Sequence, residues 1–361
     1  MVPEVTDWIR RARRLMPRED RRVLLNPPRL VARFARFAVA RHAGRAGRAC
    51  ADDVRARDPE LVALLLELYR VFARRYFRLR VEGIEHVPES GPVLLVGNHN
   101  GGLVPTDGFF TALAIRERFG PGRAMYSLVH DFVFEDPVLR RYAARLGMLR
   151  ASRESARHAF AEGGCVLVYP GSDLDTFRPF RDRRRVVLGG RKGFLELALR
   201  ERVPIVPVVT AGAQEQFVVL ARGDRLARLL HAHAWARTEV LPIVLAFPWG
   251  LTSGFVPYLP LPAQATVAFG EPMTWPDADP TRADVVDRCY REVEERMQQM
   301  LDRLSAGRRF LRAGDNRSGT PIEALHPATM ASADRGATET VWRPAKQARI
   351  GTERSRTGAA R

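Results

Sequence analysis

Short, unbroken apolar runs alternate along this chain with segments whose apolar residues recur every three or four positions. Residues 93–96 (Val-Leu-Leu-Val), 165–168 (Cys-Val-Leu-Val) and 203–209 (Val-Pro-Ile-Val-Pro-Val-Val) are too brief for helices, and Gly or Pro punctuates them. Each reads as a buried strand. Residues 124–129 and 265–269 add two more candidates. Helical spacing is clearest over residues 58–78, where Leu61, Leu64, Leu65, Leu68, Phe72 and Tyr76 share one face and Arg70, Arg74 and Arg78 lie on the other. Asp58-Pro59 is a suitable start for that helix. Further helices are expected over 139–146, 154–162, 194–200, 220–235 and 284–304. Strands alternating with helices predict an α/β domain with a mostly parallel central sheet flanked by helices.

The two ends read differently. Up to Ala49 there are thirteen arginines against four acidic residues, and Leu30, Phe34 and Phe37 form a stripe flanked by Arg29, Arg33 and Arg36. Residues 1–57 are therefore expected to form a basic arm of amphipathic helices, suited either to an anionic headgroup layer or to packing on the protein's own surface. The domain is expected over 58–305. From residue 306 to 361 the chain turns polar and aperiodic, which predicts a disordered tail. No window reaches the run of about 18 apolar residues that a membrane-spanning helix needs. Membrane contact is thus expected to be peripheral, on the cytoplasmic side. Residues 240–247, with Trp249, Phe255 and Tyr258 among prolines, form a second candidate surface for it.

Composition adds limits. The net charge of +17 is carried almost wholly by arginine, since Lys192 and Lys346 are the only lysines. That charge suits a polyanion, although an arginine-rich base composition produces the same balance. No nucleic-acid-binding module is recognisable, so nucleic acid is not expected as a partner. Cys50, Cys165 and Cys289 have no metal-ligand spacing, and His231 and His233 lack further ligands; no metal or cofactor is expected.

Candidate chemistry gathers where the first buried strand ends. Asn98 and His99 follow it, then a Gly101-Gly102 loop, then Pro105-Thr106-Asp107. An imidazole at a strand end, with a carboxylate returning to it, is a base with its orienter. No protein nucleophile stands nearby. Ser172, in Tyr-Pro-Gly-Ser-Asp-Leu, lacks the G-x-S-x-G elbow. The base would then act directly on a substrate hydroxyl.

Gly97-Asn98-His99 with its downstream Asp resembles the first motif of the glycerolipid and lysophospholipid acyltransferases, the family that includes 1-acylglycerol-3-phosphate acyltransferase. Seven residues, 100–106, separate His99 from Asp107, more than the family's usual spacing, and Pro105 stands two before the Asp as in a diacylglycerol-acyltransferase-like branch. Residues 80–88 resemble the lead-in to that motif. Residues 147–153 resemble the second block, whose arginine falls on Arg153. Residues 169–178 resemble the third, with Gly171 where the family has Glu, and with Asp173, Asp175 and Arg178 slightly later. Residues 203–208 match the fourth, and Gln214 and Glu215 follow it where site residues are expected.

The resemblance implies transfer of a fatty acyl group from acyl-CoA or acyl carrier protein to a glycerolipid hydroxyl, with His99 as base and Asp107 as its orienter. It further implies acceptor contacts from Asn98, Gly101, Gly102, Arg153, Tyr169, Pro170, Gly171, Ser172, Asp173, Asp175 and Arg178. Two rivals remain open: a thioester hydrolase, and a basic membrane- or nucleic-acid-binding protein that has lost catalysis on the same fold.

Overall fold

The computed structural model describes residues 7, 10, 11 and 53–325, except 101, 103, 136, 232–239, 255, 257 and 314–317. Most of the basic arm, and everything after 325, lies outside the described residues. Of the arm, Arg11 forms an ion pair with Glu67, 2.7 Å apart.

The chain enters the domain through helix α1 (Pro59–Arg75), whose first free amides, those of Glu60 and Leu61, donate to the Asp58 carboxylate. Strand β1 (Arg80–Glu82) leads to β2 (Val93–Gly97), and α2 (Thr106–Phe119) returns to β3 (Met125–Val129). Two helices, α3 (Phe132–Glu135) and α4 (Pro137–Arg145), precede β4 (Met148–Arg150). Helix α5 (Arg153–Ala161), β5 (Cys165–Val168), the short α6 (Ser172–Thr176), α7 (Gly193–Glu201) and β6 (Ile205–Ala211) follow. Then come β7 (Val218–Ala221), α8 (Asp224–Leu229), β8 (Ile243–Ala246), β9 (Gly250–Ser253), β10 (Thr266–Phe269), the long α9 (Ala283–Ser305) and β11 (Thr320–Pro321).

Eight strands form the main sheet in the order β11-β1-β10-β6-β2-β5-β3-β4. Pairing is parallel from β6 across to β4 and between β1 and β10; β10 against β6 and β11 against β1 are antiparallel. The fold is a mixed α/β architecture with a mostly parallel sheet. Helices cover both of its faces, so β2 is buried at every position, as a central parallel strand must be. One face packs under α9 through Val286, Cys289, Val293 and Met297. The other packs under α2 and the end of α1 through Phe110, Leu113, Ile115 and Ala73.

A second sheet, β7-β8-β9, is wholly antiparallel. It arises from a detour: the chain leaves the main sheet at Ala211 and re-enters at Thr266, and those two residues face each other across the β6–β10 pair.

Four sequence expectations need correction. Residues 220 and 221, read as the start of a helix over 220–235, close strand β7 (Val218–Ala221), and only the short α8 follows before the undescribed residues. Residues 240–247, read as a loop-rich segment, contain β8. On α1 the buried positions are Leu61, Leu64, Leu66 and Ala73, while Phe72 is exposed, so the contact face is rotated from the one the spacing suggested. The domain also does not stop at 305. Arg308 is buried against Glu215, and β11 adds an antiparallel edge beside β1, so the described domain continues to 325.

Candidate active site

Strand β2 ends at the carboxyl edge of the parallel sheet, where α/β proteins place their ligands. Asn98 extends the strand pairing by one more step. Its side chain accepts from the Thr210 amide at 2.8 Å and donates to the Thr210 carbonyl at 3.3 Å. It is buried, so it fixes the strand end and does not face a substrate.

His99 follows. Its Nδ1 lies 2.9 Å from Asp107 Oδ2. Asp107 sits in the first turn of α2, where the helix dipole favours a carboxylate, and its side chain has no exposed surface. The same Oδ2 accepts from the Asn100 amide at 2.8 Å, and Oδ1 accepts from the Gly108 amide at 2.9 Å. The long loop thus folds back at its first residue, and the added length is taken up beyond it, with Val104 packed into an apolar cluster. The imidazole itself remains 20% exposed. With Nδ1 held by the carboxylate, Nε2 is the nitrogen left for chemistry.

Tyr169 stacks on this imidazole, ring centroids 4.3 Å apart and planes 15° from parallel. Gly97 makes the stack possible, because a Cβ there would stand 2.4 Å from the Tyr169 ring. Burial, reinforced by the nearby Asp107 charge, raises the Tyr169 phenol well above its ordinary value. It therefore stays protonated and acts as a platform, not as a base.

Asp175 and Arg178 depart from the sequence expectation. Asp175 is fully buried, and its Oδ2 accepts from the His99 amide at 2.5 Å. Its Oδ1 pairs with Arg178, whose guanidinium also reaches Asn100 Oδ1 at 3.4 Å and is only 2% exposed. Burial lowers the Arg178 pKa to about 10, so the group is still charged at neutral pH. The pair holds the His99 loop from behind and is not presented to an acceptor.

The remaining candidates divide. Pro170 and Gly171 are buried, and their carbonyls accept from Arg191 at 3.0 and 3.2 Å. A Cβ on Gly171 would lie 1.9 Å from the Val187 carbonyl, so this turn has no room for the Glu usual in the third block. Ser172 and Asp173 are half-buried at the start of α6, with Asp173 near Arg191 at 3.4 Å. Gly102 has a left-handed backbone (φ 52°) and lies against the Phe217 ring, whereas Gly101 lies outside the described residues. Arg153 opens α5 beyond the edge strand β4, three strands from β2, and is bound to Glu196 on the surface. No contact joins it to His99 among the described residues.

Two further residues complete the network: Gln214, which follows the fourth block where site residues are expected, and Gln216, which the sequence did not single out. Gln214 donates from Nε2 to the carbonyls of His99 (3.4 Å) and Asp175 (3.3 Å). Gln216 accepts from the Thr106 hydroxyl at 2.7 Å, tying the start of α2 to the segment after β6. The signal available for both was their place just past the fourth apolar block.

The chain is similar to several known proteins. A family model described as Acyltransferase matches residues 78–211, the stretch from the end of α1 to the end of β6. An uncharacterised protein of Mycobacterium tuberculosis (strain H37Rv) is 35% identical over 250 residues, covering 68% of this chain and 67% of its own. A human "DGAT1/2-independent enzyme synthesizing storage lipids" is 28% identical over 52% of this chain and 55% of its own, so that only about half of each is compared. The crystal structure of the 1-acyl-sn-glycerophosphate acyltransferase of Thermotoga maritima is similar over 76% of this chain and 89% of that one, at 18% identity and a TM-score of 0.42. The chain belongs to the acyltransferase family that the matching family model describes and is an O-acyltransferase acting in lipid metabolism.

Proposed function

We propose that this acyltransferase takes its acyl group from a thioester, acyl-CoA or acyl carrier protein, and that His99 is the base that activates the acceptor hydroxyl. The observation that carries this reading is the 2.9 Å contact between His99 Nδ1 and a fully buried Asp107, beneath a ring that is still partly open. In the reaction, the glycerolipid hydroxyl gives its proton to Nε2 as its oxygen bonds to the thioester carbonyl carbon. Asp107 fixes the tautomer and stabilises the imidazolium. Collapse of the tetrahedral intermediate breaks the carbon–sulfur bond, and the thiolate leaves with the proton returned by Nε2. General-base action of this kind is worth roughly 10²–10⁴-fold.

The amides of His99 and Asn100 are already engaged by Asp175 and Asp107. Oxyanion stabilisation therefore falls to amides further along the loop, that of Gly102 among them. Asp175, Arg178, Asn98 and Gln214 are positioning residues. The Tyr169 platform stacks on the imidazole, and Ser172 and Asp173 lie half-buried at the start of α6, in the turn that follows it. Arg153 takes part in acceptor binding only if its ion pair with Glu196 opens.

The test is release of thiol from an acyl thioester, with and without a glycerolipid alcohol. Transfer predicts release that depends on the acceptor, together with a new ester; a hydrolase releases thiol in both cases. His99→Ala and Asp107→Asn are expected to lower acceptor-dependent release by about 10²–10⁴-fold while leaving the circular dichroism spectrum unchanged. Full activity in a folded His99→Ala protein refutes the assignment.

A further inference from the structure

The small sheet breaks the rule that an antiparallel sheet turns polar side chains to water. In β8, Val244 and Ala246 point inward, yet the outward residues Ile243 and Leu245 are as apolar as the inward ones. Leu245 faces Leu251 of β9 directly across the pair, and Leu251 is 67% exposed. The connection between the two strands carries Phe247 and Trp249, both more than half exposed. In the chain between β7 and β8, α8 and the residue after it add exposed Leu226, Leu229 and Leu230. From Val240 to Gly270 the sequence contains no charged residue, in a chain where 27% of residues are charged. An exposed apolar area on this scale marks a surface that meets something else.

We propose that this outer face lies on the acyl-chain boundary of a lipid bilayer and sets the active site down on it. The proposal rests on the glycerolipid acyl-transfer reading above and adds the surface through which the substrate layer is met. Two observations favour a bilayer. The inner side of the same sheet, through Phe217 and Tyr258, forms one cluster with Val104 of the His99–Asp107 loop, and Phe217 lies against Gly102. The sheet is therefore the layer between the candidate site and whatever covers the outer face. Arg225 and Arg228 of α8 are exposed beside the apolar residues, where an anionic headgroup layer accepts them.

The experiment uses the full chain and flotation with phosphatidylcholine vesicles, with and without phosphatidylglycerol. The Phe247→Ser/Leu251→Ser variant is expected to lose at least about tenfold in partitioning, since each removed side chain contributes apolar area to the interface. Its thermal midpoint, and its rate on a short-chain, water-soluble alcohol and thioester, are expected to stay the same. Acyl chains brominated near the headgroup are expected to quench wild-type tryptophan fluorescence, and most of that quenching is expected to vanish in Trp249→Phe.

Unchanged flotation of the double variant overturns the proposal, as does quenching that survives Trp249→Phe. A wild type that dimerises through this face, with a monomeric variant that floats equally well, overturns it in favour of a second copy. A wild type that transfers no acyl group yet loses flotation in the variant refutes the catalytic reading and supports the surface.

Discussion

Two neighbouring regions invert the usual rule of protein interiors in opposite directions. Around His99 the protein buries Asp107, Asp175, Arg178, Asn98 and Gln214, side chains that normally face water. On the small sheet it exposes Leu245, Phe247, Leu251 and Leu259, which normally do not. In the first region the buried charges are answered: each carboxylate has several donors, and the guanidinium has a carboxylate, although its Nε has no hydrogen-bond partner. Among the described residues, the outer face of the small sheet stays open to solvent at these apolar positions. The first pattern is that of a rigid, prearranged site, and the second is that of a contact surface. They share the Phe217 and Val104 cluster as a common wall.

The contrast can be broken most sharply at Asp175. Asp175→Asn removes the charge that answers Arg178 and is expected to cost about 3–5 kcal/mol, read as a lowered denaturant midpoint. If stability were unchanged, Arg178 would not depend on that carboxylate. Gly97→Ala tests the stack, because its methyl group collides with the Tyr169 ring. A loss of about 1–3 kcal/mol with a larger fall in acyl transfer is expected; equal activity would mean that the stack does not hold the imidazole. The smallest effect belongs to the other region. Leu251→Ser in solution is expected to change stability by less than about 0.5 kcal/mol, as measured by urea unfolding. A large loss there would identify Leu251 as core and remove it from the contact surface.

What the sequence made legible follows the same divide. Strands β2, β5 and β6 are covered on both faces, so they appear as continuous apolar runs, and the chemistry-bearing residues follow directly at their ends. The His99–Asp107 contact was readable because a strand end is a fixed point and the glycine loop after it returns the carboxylate; the helix α2 that Asp107 helps to open was not expected. The direction in which Arg178 and Asp175 face was not, because an arginine shortly after a strand looks the same whether it supports the loop or meets a ligand. The small sheet was hidden for a different reason. A strand apolar on both faces has no period of two, and leucines at 220, 226, 229 and 230 imitate a helical stripe. The continuation past 305 was masked by polar composition, although Arg308 closes a buried ion pair with Glu215 and the Leu311 amide donates to the same carboxylate at 2.7 Å.

The detour between Ala211 and Thr266 has an evolutionary consequence. Its two ends face each other across adjacent antiparallel strands, so the β6–β10 register is independent of how much chain lies between them. Such an insert behaves as an exchangeable cassette. A change in its length or composition leaves the alignment of the β6 and β10 strands unchanged.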